Sequence, residues 1–257
     1  MLLPGETLRV EVDGLISGSK YKAIFMGKSY PFFVVGPNAQ RALIGIKLDA
    51  VPGSYGLTFK TPVIPGKVQE NDFPEAPYMV TIDTKVFTIE NVNFTPEKSS
   101  LATAESREGA IIHRANLFLS RDQQWEGTFE YPVDGKVIGE FGLKRMRNGT
   151  IDVGFHKGID LRADKGTPAL AANSGTVVLA SHFKAHGNTV MINHGQGVMT
   201  IYLHLQSISV KLRQKVTKGQ EIGKVGSTGM ATGPHVHFQV FVHGVPVDPK
   251  QWVDTEF

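Results

Sequence analysis

HVHFQVFV, residues 235–242, reads as a β-strand that carries two histidines at its start. Val and Phe recur along it in an alternating pattern, and side chains two apart on a strand point to the same side. His235 and His237 therefore share one face, while Val236 and Phe238 pack the other. Paired histidines also occur on surfaces without function, so this pair gains meaning only from partners elsewhere in the chain.

Working outward, GFHKGIDL (154–161) places His156 and Asp160 four residues apart. That spacing puts them on one face of a helix or of an extended segment, and Gly158 with β-branched Ile159 argues for the extended form. One imidazole and one carboxylate, joined by a further imidazole, give the open three-ligand set of a catalytic zinc, with the fourth position left for water; a structural site would take four protein ligands. IYLHLQ (201–206) adds His204 on another alternating strand. Alone, His204 reads as a core histidine between Leu203 and Leu205.

The rest of the chain narrows the possibilities. Seven of the nine histidines follow residue 180, and there is no cysteine, so disulfides, thiolate metal sites and thiol nucleophiles are excluded. Any metal must be held by His, Asp or Glu. The net charge of +3 is spread through the chain, a lean toward polyanionic surroundings and not the footprint of a nucleic-acid groove. No phosphate-loop pattern sits between a strand and a helix. The opening MLLPGETLRVEV has no basic segment leading into a long apolar run, and no later stretch approaches the roughly 18 apolar residues of a membrane span.

At 257 residues, more than one unit is expected. From Thr7 to Thr61, LRVEV, YKAIFM, YPFFVV, RALIGIKL and SYGLTFK are short β-rich runs broken by Gly14, Gly27, Pro37 and Pro52-Gly53. This is the texture of an immunoglobulin-like β-sandwich, assigned to residues 1–62. Thr61 to Pro77, with four prolines, reads as an irregular connection. YMVTIDTKVFTIENVNF (78–94) reads as two further strands, and a connecting helix is expected between about Ser99 and Gln124. The apolar positions of that helix are Ala110, Ile111, Ala115 and Leu117 or Phe118. The connecting region is residues 63–126. From 127 to 257 the sequence is Gly-rich and β-rich, an all-β domain, so the fold class is mainly β.

The blocks FGLK (141–144), GFHKGIDLRADKGTPALAANSGTVV (154–178), GNTVMINHGQGVMTIYLHL (187–205), VTKGQEIGKVGSTGMATGPHVHFQV (216–240) and VPVDPKQW (245–252) closely resemble, in order, the catalytic domain of the lysostaphin and LytM family of zinc peptidoglycan endopeptidases. The resemblance covers about half the chain, from roughly Phe129 to Trp252. It implies a LytM-type all-β peptidase domain holding one zinc ion, with His156, Asp160 and His237 as ligands. His204 and His235 match the two catalytic histidines that are not ligands. The implied substrate is the peptide cross-link of peptidoglycan, with a metal-activated water as nucleophile and the two histidines in place of a glutamate base. It also implies an extracytoplasmic location and an export signal on the untrimmed protein. His194, in NHGQG, matches a turn position; His182, His186 and His243 match no role, and His113, isolated in the expected connecting helix, reads as structural or surface. Arg213, in KLRQKV, stands where the family usually has glycine, and KRMRNGTIDV (144–153) has no clear counterpart.

Two other readings remain open from the residues. One is a non-enzymatic regulator or wall-binding protein, although such relatives generally lack ligands that are all present here. The other is a latent hydrolase whose N-terminal modules cover the groove.

Overall fold

The computed structural model of the protein describes residues 1–14, 20–61 and 73–257, with the side chains of 151–153 outside the description. The irregular connection expected between Thr61 and Pro77 therefore falls mostly outside the described residues. The chain divides into two compact units, Met1–Lys85 and Val86–Phe257.

In the first unit the alternating runs become β1 (Thr7–Asp13), β2 (Lys22–Phe25), β3 (Lys28–Pro31), β4 (Phe33–Val34), β5 (Ala39–Gly45), β6 (Gly53–Lys60) and β7 (Tyr78–Ile82). They pair as two antiparallel sheets, β1-β5-β4 and β3-β2-β6-β7. The inward side chains, among them Val10, Phe25, Ile44 and Leu57, form one core. Met26 and Gly27 both take positive φ, 48° and 73°, which closes the two-residue turn between β2 and β3.

The second unit opens with β8 (Ile89–Val92), so the expected pair of strands over 78–94 forms, one in each unit. A short α1 (Pro96–Ser99) follows, with Thr95 accepting from Lys98 N and Pro96 in the first turn. The connecting helix is α2 (Ala102–Ala115), shorter than the span expected from Ser99 to Gln124. It buries Glu108, Ile112 and Ala115, while Ile111, Leu117 and Phe118 are exposed, which corrects the expected apolar face. The reason is Glu108: its carboxylate accepts from the backbone N–H groups of Lys184, Ala185 and His186 and bonds His186 Nδ1 at 2.8 Å, turning that side of the helix inward.

The remaining elements are β9 (Lys136–Gly139), β10 (Lys144–Arg147), β11 (Thr150–Phe155), β12 (Ile159–Arg162), β13 (Pro168–Leu170), β14 (Gly175–Phe183), β15 (Gly187–Gly195), β16 (Val198–Leu205), β17 (Ser207–Ile208), β18 (Lys215–Val216), β19 (Glu221–Lys224), β20 (Val236–Val242), β21 (Val245–Val247) and α3 (Pro249–Asp254). A long antiparallel sheet runs β18-β14-β15-β16-β20-β12-β9, with β21 added to β20. The mainly-β expectation holds.

Alternation gives this sheet two different faces. Even-numbered Tyr202 and Phe238, with ring centroids 5.4 Å apart, belong to a core that includes His194, Phe129 and Trp252. Odd-numbered Met199, Ile201, Leu203 and Phe241 face the other way and receive Ile112 and Ala115 of α2. The histidines of the site lie on this second face.

Candidate metal centre

Register brings the first two groups together. Asp160 on β12 is directly opposite His237 on β20, so both side chains project to the same side. His156 lies in the short link between β11 and β12, fixed by its N–H to Leu143 O (2.7 Å) and by its carbonyl accepting from Gly142 N (2.8 Å). These contacts aim its ring at the same point. His237 Nδ1 is 2.6 Å from Asp160 Oδ1, His156 Nε2 is 3.2 Å from that oxygen, and the two ring nitrogens are 3.0 Å apart.

Three ligand atoms around a tetrahedral ion at about 2.0–2.1 Å would be separated by about 3.3 Å, so the triad fits one cation with little movement. His156, Asp160 and His237 satisfy the geometric condition for a shared metal among the described residues. The outer atoms are also held. His156 Nδ1 donates to Glu140 O (2.7 Å), which leaves the Nε2 lone pair facing inward. His237 Nε2 has the Gln239 amide 2.6 Å away, and Asp160 Oδ2 accepts from Arg145 Nη2 at 2.6 Å.

The electrostatics favour ligand-ready protonation states. Burial would raise the Asp160 carboxyl, but the His237 and His156 rings packed against it outweigh burial and hold the group well below the usual carboxylate range. Burial is the main cause that lowers His237 to about 4, against the pull of Asp160. An anionic Asp160 carboxylate beside a neutral His237 imidazole is a state suited to bind a divalent cation.

His204 reaches the site by a break in alternation. Between the paired positions Val190–Tyr202 and Asn188–Leu205, β15 has one residue and β16 has two, Leu203 and His204. His204 takes up the extra residue with a φ of 65°, a β-bulge. Regular alternation would send His204 to the face of Tyr202; the bulge instead leaves its ring 5.0 Å from that of His235 and 6.2 Å from that of His237. Its Nδ1 donates to Thr228 O (2.8 Å), and His235 Nδ1 donates to Gly233 O (2.9 Å). A carbonyl can only accept, so each ring carries its proton on Nδ1 and has Nε2 as the free acceptor. His235 Nε2 lies 3.7 Å from Asp160 Oδ1.

Two glycines make room. A Cβ on Gly158 would meet Phe238 O at 2.3 Å and His237 Nε2 at 3.0 Å, and one on Gly139 would meet Asp160 Oδ2 at 2.6 Å. All five polar side chains are buried, between 3% and 8% exposed, and His156, His204 and His237 border a groove of about 560 Å³ lined also by Arg147, His186 and Met230. α2 forms one wall, held by a two-point Glu105–Arg147 ion pair (2.6 and 3.0 Å), and Lys98 Nζ donates to Ala231 O.

All five residues singled out from the sequence thus converge. Sequence reasoning passed over Arg145, Gln239 and the Glu108–His186 clamp. Gln239 was accessible, since it shares the odd-numbered face with His235 and His237; Arg145 and Glu108 act across long separations that carry no local signal. His194 is a buried strand residue and not a turn residue: its Nδ1 donates to Ser174 O and its Nε2 accepts from Thr200 Oγ1, both at 2.8 Å.

Comparison with known proteins points the same way. The signature of Peptidase family M23 matches residues 154–249. The peptidoglycan DD-endopeptidase ShyA of Vibrio cholerae is 43% identical over 143 residues, which is 54% of this chain and 33% of that protein. The DD-carboxypeptidase/endopeptidase Mpg of Neisseria meningitidis is 34% identical over 165 residues, 58% of this chain and 38% of that protein. The matches thus span little more than a third of the length of these relatives. The crystal structure of a Pseudomonas aeruginosa protein assigned to peptidase M23 superposes with a TM-score of 0.70 at 28% identity, covering 98% of this chain and 94% of that one.

Proposed function

Residues 154–249 are a domain of Peptidase family M23, and from that premise we propose that the protein is a zinc-dependent endopeptidase that hydrolyses peptide cross-links of peptidoglycan. The observation that carries the reading is the convergence of His156 Nε2, Asp160 Oδ1 and His237 Nδ1 within 3.2 Å of one another beside His204 and His235. Because ShyA is named a DD-endopeptidase, the D,D cross-link is the bond assigned. A protein acting on that polymer works outside the cytoplasmic membrane, and no described helix is long and apolar enough to cross one.

His156, Asp160 and His237 would hold the zinc. When bound, zinc supplies Lewis acidity that activates a water and polarises the scissile carbonyl. His204, with Nδ1 fixed on Thr228 O, accepts the water's proton at Nε2 and delivers it to the leaving amine. His235 lies beside His204, with Nε2 3.7 Å from Asp160 Oδ1, and is the group placed to steady the developing oxyanion. Three protein ligands leave the open position that catalysis needs. The N-terminal unit, Met1–Lys85, serves in this reading as an immunoglobulin-like spacer that bears no catalytic group.

The test is digestion of purified peptidoglycans with D,D and with glycine-bridge cross-links, followed by mass analysis of the fragments. Release from the D,D polymer, abolished by a chelator and restored by zinc, is expected; no chelator-sensitive release from either polymer would end the proposal. A latent form of the same enzyme is favoured by one observation, the fastening of α2 along the groove by Glu105 and Arg147. In that case Glu105→Ala raises the rate of cleavage.

A further inference from the structure

We propose that Arg145 is a positioning residue that confines Asp160 to ligation through a single oxygen, keeping a coordination position open for chemistry. The inference rests on the metal site assigned above and concerns a residue outside it.

A carboxylate can take a cation through one oxygen or through both. Asp160 is built for one. Its Oδ1 faces the two imidazole nitrogens at 2.6 and 3.2 Å, whereas its Oδ2 is occupied by Arg145 Nη2 at 2.6 Å. Oδ2 also sits against the bare Cα of Gly139, where any side chain would reach within 2.6 Å of it. That oxygen therefore has a niche of its own, with a glycine on one side and a guanidinium on the other.

The guanidinium is itself held. Arg145 on β10 is the register partner of Glu90 on the parallel neighbour β8, and Arg145 Nε donates to Glu90 Oε2 at 3.3 Å. Arg145 thus spends one edge on Glu90 and another on Asp160, a use of the rigid fork that lysine cannot copy. The relay Glu90–Arg145–Asp160 fixes the rotation of the carboxylate about its own axis. Without Arg145, Oδ2 is free to turn onto the ion and fill the position that the open site needs. The guanidinium charge also opposes that of the cation, so its removal does not weaken metal binding.

This gives a signature that a merely structural role lacks: the ion is retained while turnover falls. The experiment replaces zinc by cobalt(II), whose visible absorption drops as coordination rises from four to five, in the parent and in Arg145→Met. The variant is expected to bind cobalt with an affinity within tenfold of the parent by chelator competition, to absorb more weakly in the visible, and to lose roughly 10–100-fold in kcat with KM little changed. A parental cobalt spectrum in the folded variant overturns the proposal. Should the variant not fold, a crystal structure of the zinc-loaded parent decides: Oδ2 on Arg145 and outside bonding distance of the ion upholds it, and an ion held by both oxygens overturns it. A parent that takes up neither zinc nor cobalt would instead refute the metal site.

Discussion

Asp160 and His237 are direct cross-strand partners on β12 and β20, and their facing atoms, Oδ1 and Nδ1, are 2.6 Å apart. Both atoms face His156 Nε2, at 3.2 and 3.0 Å, so the pair sets where a cation sits. His156 completes it from a separate link in the chain.

From this geometry, Asp160→Ala and His237→Ala are expected to lose bound metal and hydrolysis together, whereas His204→Ala keeps its metal and loses about 10²–10⁴-fold in turnover. Metal analysis of the purified variants beside a peptidoglycan digestion assay separates the two classes. Parental turnover in His204→Ala would remove that residue from the mechanism.

The glycines offer a steric check. Gly158→Ala and Gly139→Ala place a methyl group against Phe238 O and Asp160 Oδ2, respectively. Each is expected to cost about 1–3 kcal/mol of stability, as overpacking does, and to weaken metal binding. Gly109→Ala in α2, where nothing lies within 4 Å, should instead gain about 0.5–1 kcal/mol. Urea unfolding of the three variants reads the contrast; equal effects would show that crowding at the site is not what selects glycine.

His194 predicts a pH dependence unrelated to the metal. Burial lowers its pKa from 6.5 to about 4, so the unfolded chain binds a proton there that the folded protein excludes. The stabilisation is complete above pH 6.5 and is lost as the pH falls toward 4, a total of about 3 kcal/mol for 2.5 units at 1.36 kcal/mol each. In chelator, His194→Gln should flatten the fall in unfolding free energy over that window by up to about 1.4 kcal/mol per pH unit. Parallel curves for parent and variant would contradict the assignment.

Arg213 departs from the glycine usual in the family, and its φ of 67° explains the glycine: the backbone is left-handed there. Its N–H donates to Val177 O at 2.8 Å, a bond glycine keeps, and the residue is exposed. Arg213→Gly is expected to raise stability by up to about 1 kcal/mol with activity unchanged. Thermal unfolding measures the shift, and a destabilised variant would mean that the arginine side chain has a stabilising role of its own.

Local pattern determined much of this protein. Alternation in HVHFQVFV placed His235 and His237 on one face; the short β-rich runs of residues 7–60 announced their strands; and the blocks around His156, Asp160 and His204 carried the family resemblance that implied a ligand set and its neighbours. These are features a chain expresses within a few residues. The tertiary structure decided the rest. Only the bulge opposite Thr189 turns His204 onto the face that carries His235 and His237, against its alternation. Only the fold brings Arg145 of β10, paired with Glu90 of β8, onto Asp160 of β12, and only the loop at 184–186 turns Glu108 of an otherwise ordinary helix into the core. Register and bulges depend on which strands meet, and the cost of burying a charge depends on what is brought to it from far along the chain, so neither is written in any single stretch of residues.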